Sequence, residues 1–136
     1  MCSIFLSTTG FSCVLYTNSD SVAPTVRQPY AALVAYVEER IIPGYAAFDR
    51  AHGTDHVRTV IVRSLDLARR YGADVDMAYV VAAYHDTGLC EGRERHHIVS
   101  GELLAADPVL ARYFSSEQLR TMREAVEDHR ASSDHA

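Results

Sequence analysis

The sequence predicts an all-α fold, a compact bundle of five or six helices. Three observations carry this. Apolar residues recur at helical spacing almost throughout from Pro24 onward. No segment after residue 24 alternates apolar and polar side chains as a half-buried strand does. Proline, glycine and capping residues cut the chain into helix-length pieces.

The elements follow in order. Residues 1–23 read as an N-terminal extension, with a short hairpin as one reading, ahead of a helical domain over 24–136. Pro29 suits the first turn of a helix; Leu33, Val34, Val37 and Ile41 recur at its period, and Pro43-Gly44 stops it. Thr54 is the expected N-cap of a second helix with the stripe Val57, Val60, Ile61, Leu65 and Ala68. Gly72 ends that helix, because glycine takes the left-handed conformation of a C-terminal cap at little cost. Asp74 or Asp76 starts a third helix through Met77, Val80, Val81 and Tyr84. It is apolar nearly all round, which places it at the centre of the domain. Thr87 to Arg95 reads as a polar loop and His97 to Ala106 as a fourth helix, stopped by Asp107-Pro108. Ser115 and Gln118 form a capping box for the last helix, with Leu119, Met122 and Val126 inward.

Composition narrows the function classes. The 136 residues are 48% hydrophobic and 23% charged, which fits one folded domain and excludes wholesale disorder. The net charge is −5, and all 13 basic residues are arginine, with no basic run. General affinity for duplex nucleic acid or an anionic membrane is therefore not expected. No run of about 20 apolar residues exists, and residues 1–26 lack the Lys or Arg with which a signal peptide begins. Cys2, Cys13 and Cys90 are odd in number and lack metal-site spacing, so reduced thiols in a cytoplasmic protein are expected.

The histidines carry the chemistry. His56 precedes Val60 by four residues, His85 follows Val81 by four with Asp86 next, His97 precedes Gly101 by four, and His129 follows Val126 by three. Helical spacing thus aims imidazoles from four helices at the interior. One buried imidazole is usually satisfied by a backbone carbonyl. Four of them beside a carboxylate compete for few partners when neutral and repel when charged. A divalent ion resolves both problems. Nitrogen and carboxylate donors without thiolate suit Fe, Mn, Co, Ni or Zn, as one or two ions.

With DHVRTV around His56, AAYHDTG around His85-Asp86, HIVSG from His97 and AVEDHR around His129, the chain resembles the HD superfamily of metal-dependent phosphohydrolases, over roughly Tyr45 to Arg130. The resemblance implies His56, His85 and Asp86 as ligands of a first metal, and His97 and His129 with bridging Asp86 for a second. His96 is the alternative to His97, one residue and about 100° away on a helix. His85 and Asp86 form the catalytic centre on this reading, with water activated by the metal as the attacking group. Arg93 and Arg95, in the loop after the doublet, are candidate phosphate contacts because guanidinium binds phosphate in bidentate fashion; His52 is a third candidate substrate contact. The family's last aspartate ligand has no counterpart before Ala136, since neither Asp128 nor Asp134 fits its distance. The domain is accordingly expected to be incomplete at its C-terminus, which bears on its activity. The expected substrate is a small nucleotide or phosphate ester, and a homodimer is the other partner considered. Two alternatives stand beside hydrolysis: a degenerate HD domain serving as a binding or dimerisation module, and a di-iron oxygenase on the same ligand set.

Overall fold

The computed structural model describes residues 26–134, with side chains as far as residue 128; the expected extension over 1–23 lies outside the described residues. Five α-helices make up the architecture: α1 (Ala31–Arg40), α2 (Thr54–Tyr71), α3 (Val75–Tyr84), α4 (His96–Ala106) and α5 (Ser116–Asp134). Short 3-10 turns link them, and no strand occurs among the described residues. The all-α expectation holds.

The most apolar helix takes the middle. Val75, Tyr79, Val80, Ala82, Ala83 and Tyr84 of α3 are all buried, and α3 packs against α2, α4 and α5. Around it, α1 contributes Leu33 and Val37, α2 contributes Val57 and Ile61, α4 contributes Leu104, and α5 contributes Met122 and Val126. Val60, Leu65 and Leu119, expected inward, pack half-buried at the core's edge. Full burial of each large apolar side chain contributes about 1.5–3 kcal/mol, so Val57 and Ile61 of α2 and Met122 and Val126 of α5 are main contributors to holding these helices in the core.

The helix ends follow local chemistry. Asp74 caps α3 by accepting the Met77 N–H at 3.0 Å. Gly72, at φ +70°, closes α2. Ser115 and Gln118 exchange the two capping-box hydrogen bonds, at 2.9 and 3.1 Å. Asp107, after α4, accepts from the hydroxyls of Tyr36 and Tyr84, both at 2.7 Å, and so ties α1 and α3 to the α4–α5 connection.

Four boundaries differ from expectation. Helix α1 opens at Ala31 rather than at Pro29, after Tyr30, whose N–H donates to Asp76 at 2.7 Å. Thr54 is the first residue of α2 and makes no capping bond, because the Gly53 carbonyl already accepts the Val57 N–H and begins the helix one residue earlier. Helix α4 begins at His96 instead of His97. The segment read as an open polar loop contains a 3-10 turn over Thr87–Glu91, within which Gly88 is buried.

Candidate metal centre

The centre is assembled where α3 stops. His85 is the last residue with helical backbone angles, and Asp86 departs from them (φ −117°, ψ 10°). Both are buried, at 9% and 3% exposure. The His85 ring turns back on its helix: Nδ1–H donates to the Ala82 carbonyl at 2.7 Å. A carbonyl can only accept, so Nδ1 carries the proton and Nε2 presents its lone pair when the ring is neutral. That Nε2 lies 3.0 Å from Asp86 Oδ2 and 3.4 Å from His56 Nε2.

His56 comes from the first turn of α2, the segment Thr54–Tyr71 on the opposite wall. Its Nε2 lies 3.6 Å from Asp86 Oδ2. Burial, the neighbouring His85 and, more weakly, His52 push its pKa below the ordinary histidine value, with Asp86 acting in the opposite sense. At neutral pH it is therefore an uncharged imidazole rather than a cation.

The three donor atoms, two imidazole nitrogens and one carboxylate oxygen, lie within 4.8 Å of one another. Their separations test the fit. Two donors each about 2.1 Å from a common ion, at angles of about 90–110°, stand about 3.0–3.4 Å apart. The observed 3.0, 3.4 and 3.6 Å are close to that spacing. Lone pairs and a carboxylate converging this closely repel unless a cation or proton lies among them, so the donor set fits a divalent ion.

A third imidazole reaches the other side of the carboxylate. His96 Nε2 lies 3.4 Å from Asp86 Oδ1, and its Nδ1–H donates to the Arg93 carbonyl at 2.8 Å. Spacing favours His97, and the alternative, His96, stands within reach of one oxygen of Asp86. The physical reason is the start of α4: with His96 as the first helical residue, its side chain leans back over the preceding turn. His97 is half-buried beside it, with ring centroids 5.9 Å apart. His129 lies on α5, which packs along α4; its side chain is outside the described residues.

Close approach of α4 depends on Gly88. A Cβ there would lie 2.2 Å from the His96 carbonyl oxygen and 2.6 Å from the Ser100 nitrogen. Gly88 N–H instead donates to Ser100 Oγ at 2.8 Å, docking the turn after the doublet onto α4.

At the mouth, sequence reasoning missed Asp49. It caps the 3-10 turn Arg50–His52, accepts from His52 Nδ1–H at 2.8 Å and pairs with Arg93 at 2.7 Å. The hydrogen bond from His52, and then the charges of His52 and Arg93, hold its carboxyl below the usual range. Asp49, three residues before His52, is the available signal, since Asp is a capping residue. His52 stands beside His56, ring centroids 5.9 Å apart. Arg93, expected as a phosphate contact, is paired with Asp49, and Arg95 is exposed at the N-cap of α4.

Residues 53–136 match the family model for the HD domain. The chain belongs to the HD domain family. Members of this family are in general metal-dependent phosphohydrolases that bind divalent ions, and this HD domain places a His/His/Asp cluster where such an ion fits. The match begins just before α2, so α1 and the turns carrying Tyr45, Asp49 and His52 precede it. Comparison with curated proteins gives no match, and comparison with solved structures gives none. An apolar groove of about 520 Å³ between α2, α3 and α5 contains none of the candidate ligands. No helix among the described residues is long and apolar enough to cross a membrane.

Proposed function

We propose that this HD domain hydrolyses a small phosphorylated substrate, a nucleotide or phosphate ester, at the His56–His85–Asp86 centre. The observation that carries the reading is the convergence of His56 Nε2, His85 Nε2 and Asp86 Oδ2 at ligand spacing on a buried carboxylate. These three residues hold a first ion of the Fe, Mn, Co, Ni or Zn class. Asp86 Oδ1, turned toward α4, extends the set to a second ion with His96 or His97, and with His129 of α5. Bound there, a divalent ion lowers the pKa of a ligated water toward neutrality and offsets charge building on the phosphoryl group.

The chain's own residues orient the substrate. Asp49 fixes the His52 ring through Nδ1, which leaves Nε2 for a phosphate or leaving-group oxygen beside His56. Arg93, on the other oxygen of Asp49, stands within the same cluster and can trade its carboxylate for a phosphate. The negative net charge, with no basic run, supports a small substrate rather than duplex nucleic acid.

The test compares wild type with Asp86→Ala, each incubated with Mn, Co or Zn, desalted, and assayed for retained metal and for phosphate release from nucleotides and simple esters. Wild type is expected to retain metal and release phosphate, and Asp86→Ala to do neither. Equal metal content in the variant removes the ligand assignment. Metal retention by wild type without hydrolysis of any phosphate ester removes the phosphohydrolase reading while leaving the metal centre.

A further inference from the structure

The end of α3 is held by an unusual set of side chains. The last carbonyls of any helix lack partners one turn ahead. Here three successive ones take side-chain donors: Ala82 from His85 Nδ1–H at 2.7 Å, Ala83 from the Tyr45 hydroxyl at 2.7 Å, and Tyr84 from the Thr87 hydroxyl at 2.8 Å. Of the donors, His85 belongs to the doublet and Thr87 follows it directly. Tyr45 does neither. It arrives from the 3-10 turn Ile42–Ala47 after α1 and is fully buried.

Tyr45 also does something the other two do not. Its oxygen accepts the Asp86 backbone N–H at 3.2 Å while its own proton goes to Ala83. A hydroxyl is one of the few side-chain groups able to donate and accept at once. Burial pushes its ionisation upward, so it keeps the proton it donates. The result is a short relay, Asp86 N–H to Tyr45 to the Ala83 carbonyl, across the point where the backbone leaves the helix.

We propose that Tyr45 is a positioning residue of the metal centre: its hydroxyl fixes the peptide that bears the Asp86 carboxylate, and through it the spacing of Asp86 from His56 and His85. The inference rests on the metal-centre reading above. The geometry explains why the ring alone does not suffice. Phenylalanine at this position keeps the packing, including the edge contact with Phe48 at 5.3 Å. It removes the hydroxyl that accepts the Asp86 N–H and donates to the Ala83 carbonyl, and with it the link that sets the orientation of this peptide. Since both oxygens of Asp86 face imidazoles, a rotated peptide moves them relative to His56, His85 and His96 together. Partners beyond the ligand shell typically carry 10–100-fold in metal affinity.

The experiment measures Mn(II), Co(II) and Zn(II) affinity of folded wild type and of Tyr45→Phe by calorimetric titration well below the melting temperature, with amide exchange at Asp86 followed by NMR in the metal-free proteins. Tyr36→Phe is the control, removing a hydroxyl bonded at the same 2.7 Å distance to Asp107, away from the centre. Tyr45→Phe is expected to weaken binding by about tenfold or more and to speed Asp86 amide exchange, with Tyr36→Phe within about twofold of wild type. Unchanged affinity in Tyr45→Phe overturns the proposal even when its melting temperature falls, because a merely structural tyrosine moves only the latter. In wild type itself the Asp86 amide is expected to be protected although it lies past the last turn of α3; exchange there at the rate of an open loop overturns the proposal without any variant. Wild type that binds none of the three ions defeats the metal-centre reading itself, an outcome separate from unaltered binding in the variant.

Discussion

Of the clustered side chains His56, His85, Asp86 and His96, His56 is the most open to solvent, with 37% exposed, so its protonation bears on how the centre responds to acid. Its pKa lies below the ordinary histidine value in the folded chain, chiefly through burial and the adjacent His85. The sign follows from linkage. The unfolded state takes up a proton near the ordinary value of about 6.5 while the folded state still resists. The contribution of His56 to stability is thus complete above that value and is lost as pH falls through the depressed folded value. In metal-free protein, an NMR titration is expected to place His56 below an unfolded-peptide histidine; a value at or above that of the peptide contradicts the environment described. Asp49 supplies a second prediction at this scale. It is exposed and caps a short 3-10 turn, so Asp49→Ala should cost about 0.5–2 kcal/mol. Yet it holds both His52 and Arg93. Phosphate release should therefore drop several-fold with metal content unchanged, and full activity in this variant removes His52 and Arg93 from the substrate's path.

At the scale of elements, the contact between the turn after the doublet and α4 is the most sensitive. Gly88→Ala places a methyl group 2.2 Å from the His96 carbonyl oxygen, and backbone on both sides leaves little room to yield. Overpacking of this kind typically costs about 1–3 kcal/mol. Because the displaced element carries His96, circular dichroism melts and metal titration should both register it; a variant with unchanged melting temperature shows that α4 does not dock as described. Ser115→Ala, by contrast, removes one half of the α5 capping box and should cost about 1 kcal/mol with no effect on metal. The capping box, Gly72 and the stripe of α2 were readable in sequence because each depends on residues within one or two turns. Asp49, Tyr45 and the 3-10 turns were not. Tyr45 meets Asp86 across 41 residues, and nothing in local spacing marks that meeting. The preference for His97 rests on the HxxxG spacing and the inward face, whereas the approach of His96 to Asp86 depends on the path of the turn before α4, which spacing does not carry.

For the whole molecule, the doublet, its partner His56 and the helical class were legible because they combine local motif with periodicity. Their convergence is a property of the fold alone. His56, His85-Asp86 and His96 ride on α2, the end of α3 and α4, and these elements meet only when the core around α3 has formed. An unfolded chain holds the same donors far apart, so an ion that needs all of them binds the folded state preferentially. Its binding energy then appears as stability. At a free ion concentration 100 times Kd the gain is about 2.7 kcal/mol, which for a domain of this size raises Tm by roughly 8–15 °C. Melts with and without Mn, Co or Zn, each followed by excess chelator, check this. Wild type should show a rise that chelator reverses, Asp86→Ala none, and the rise in wild type should shrink on acidification as His56 takes up its proton. An equal rise in Asp86→Ala means that the ions bind elsewhere on the surface, and the imidazoles gathered around this carboxylate then serve packing alone.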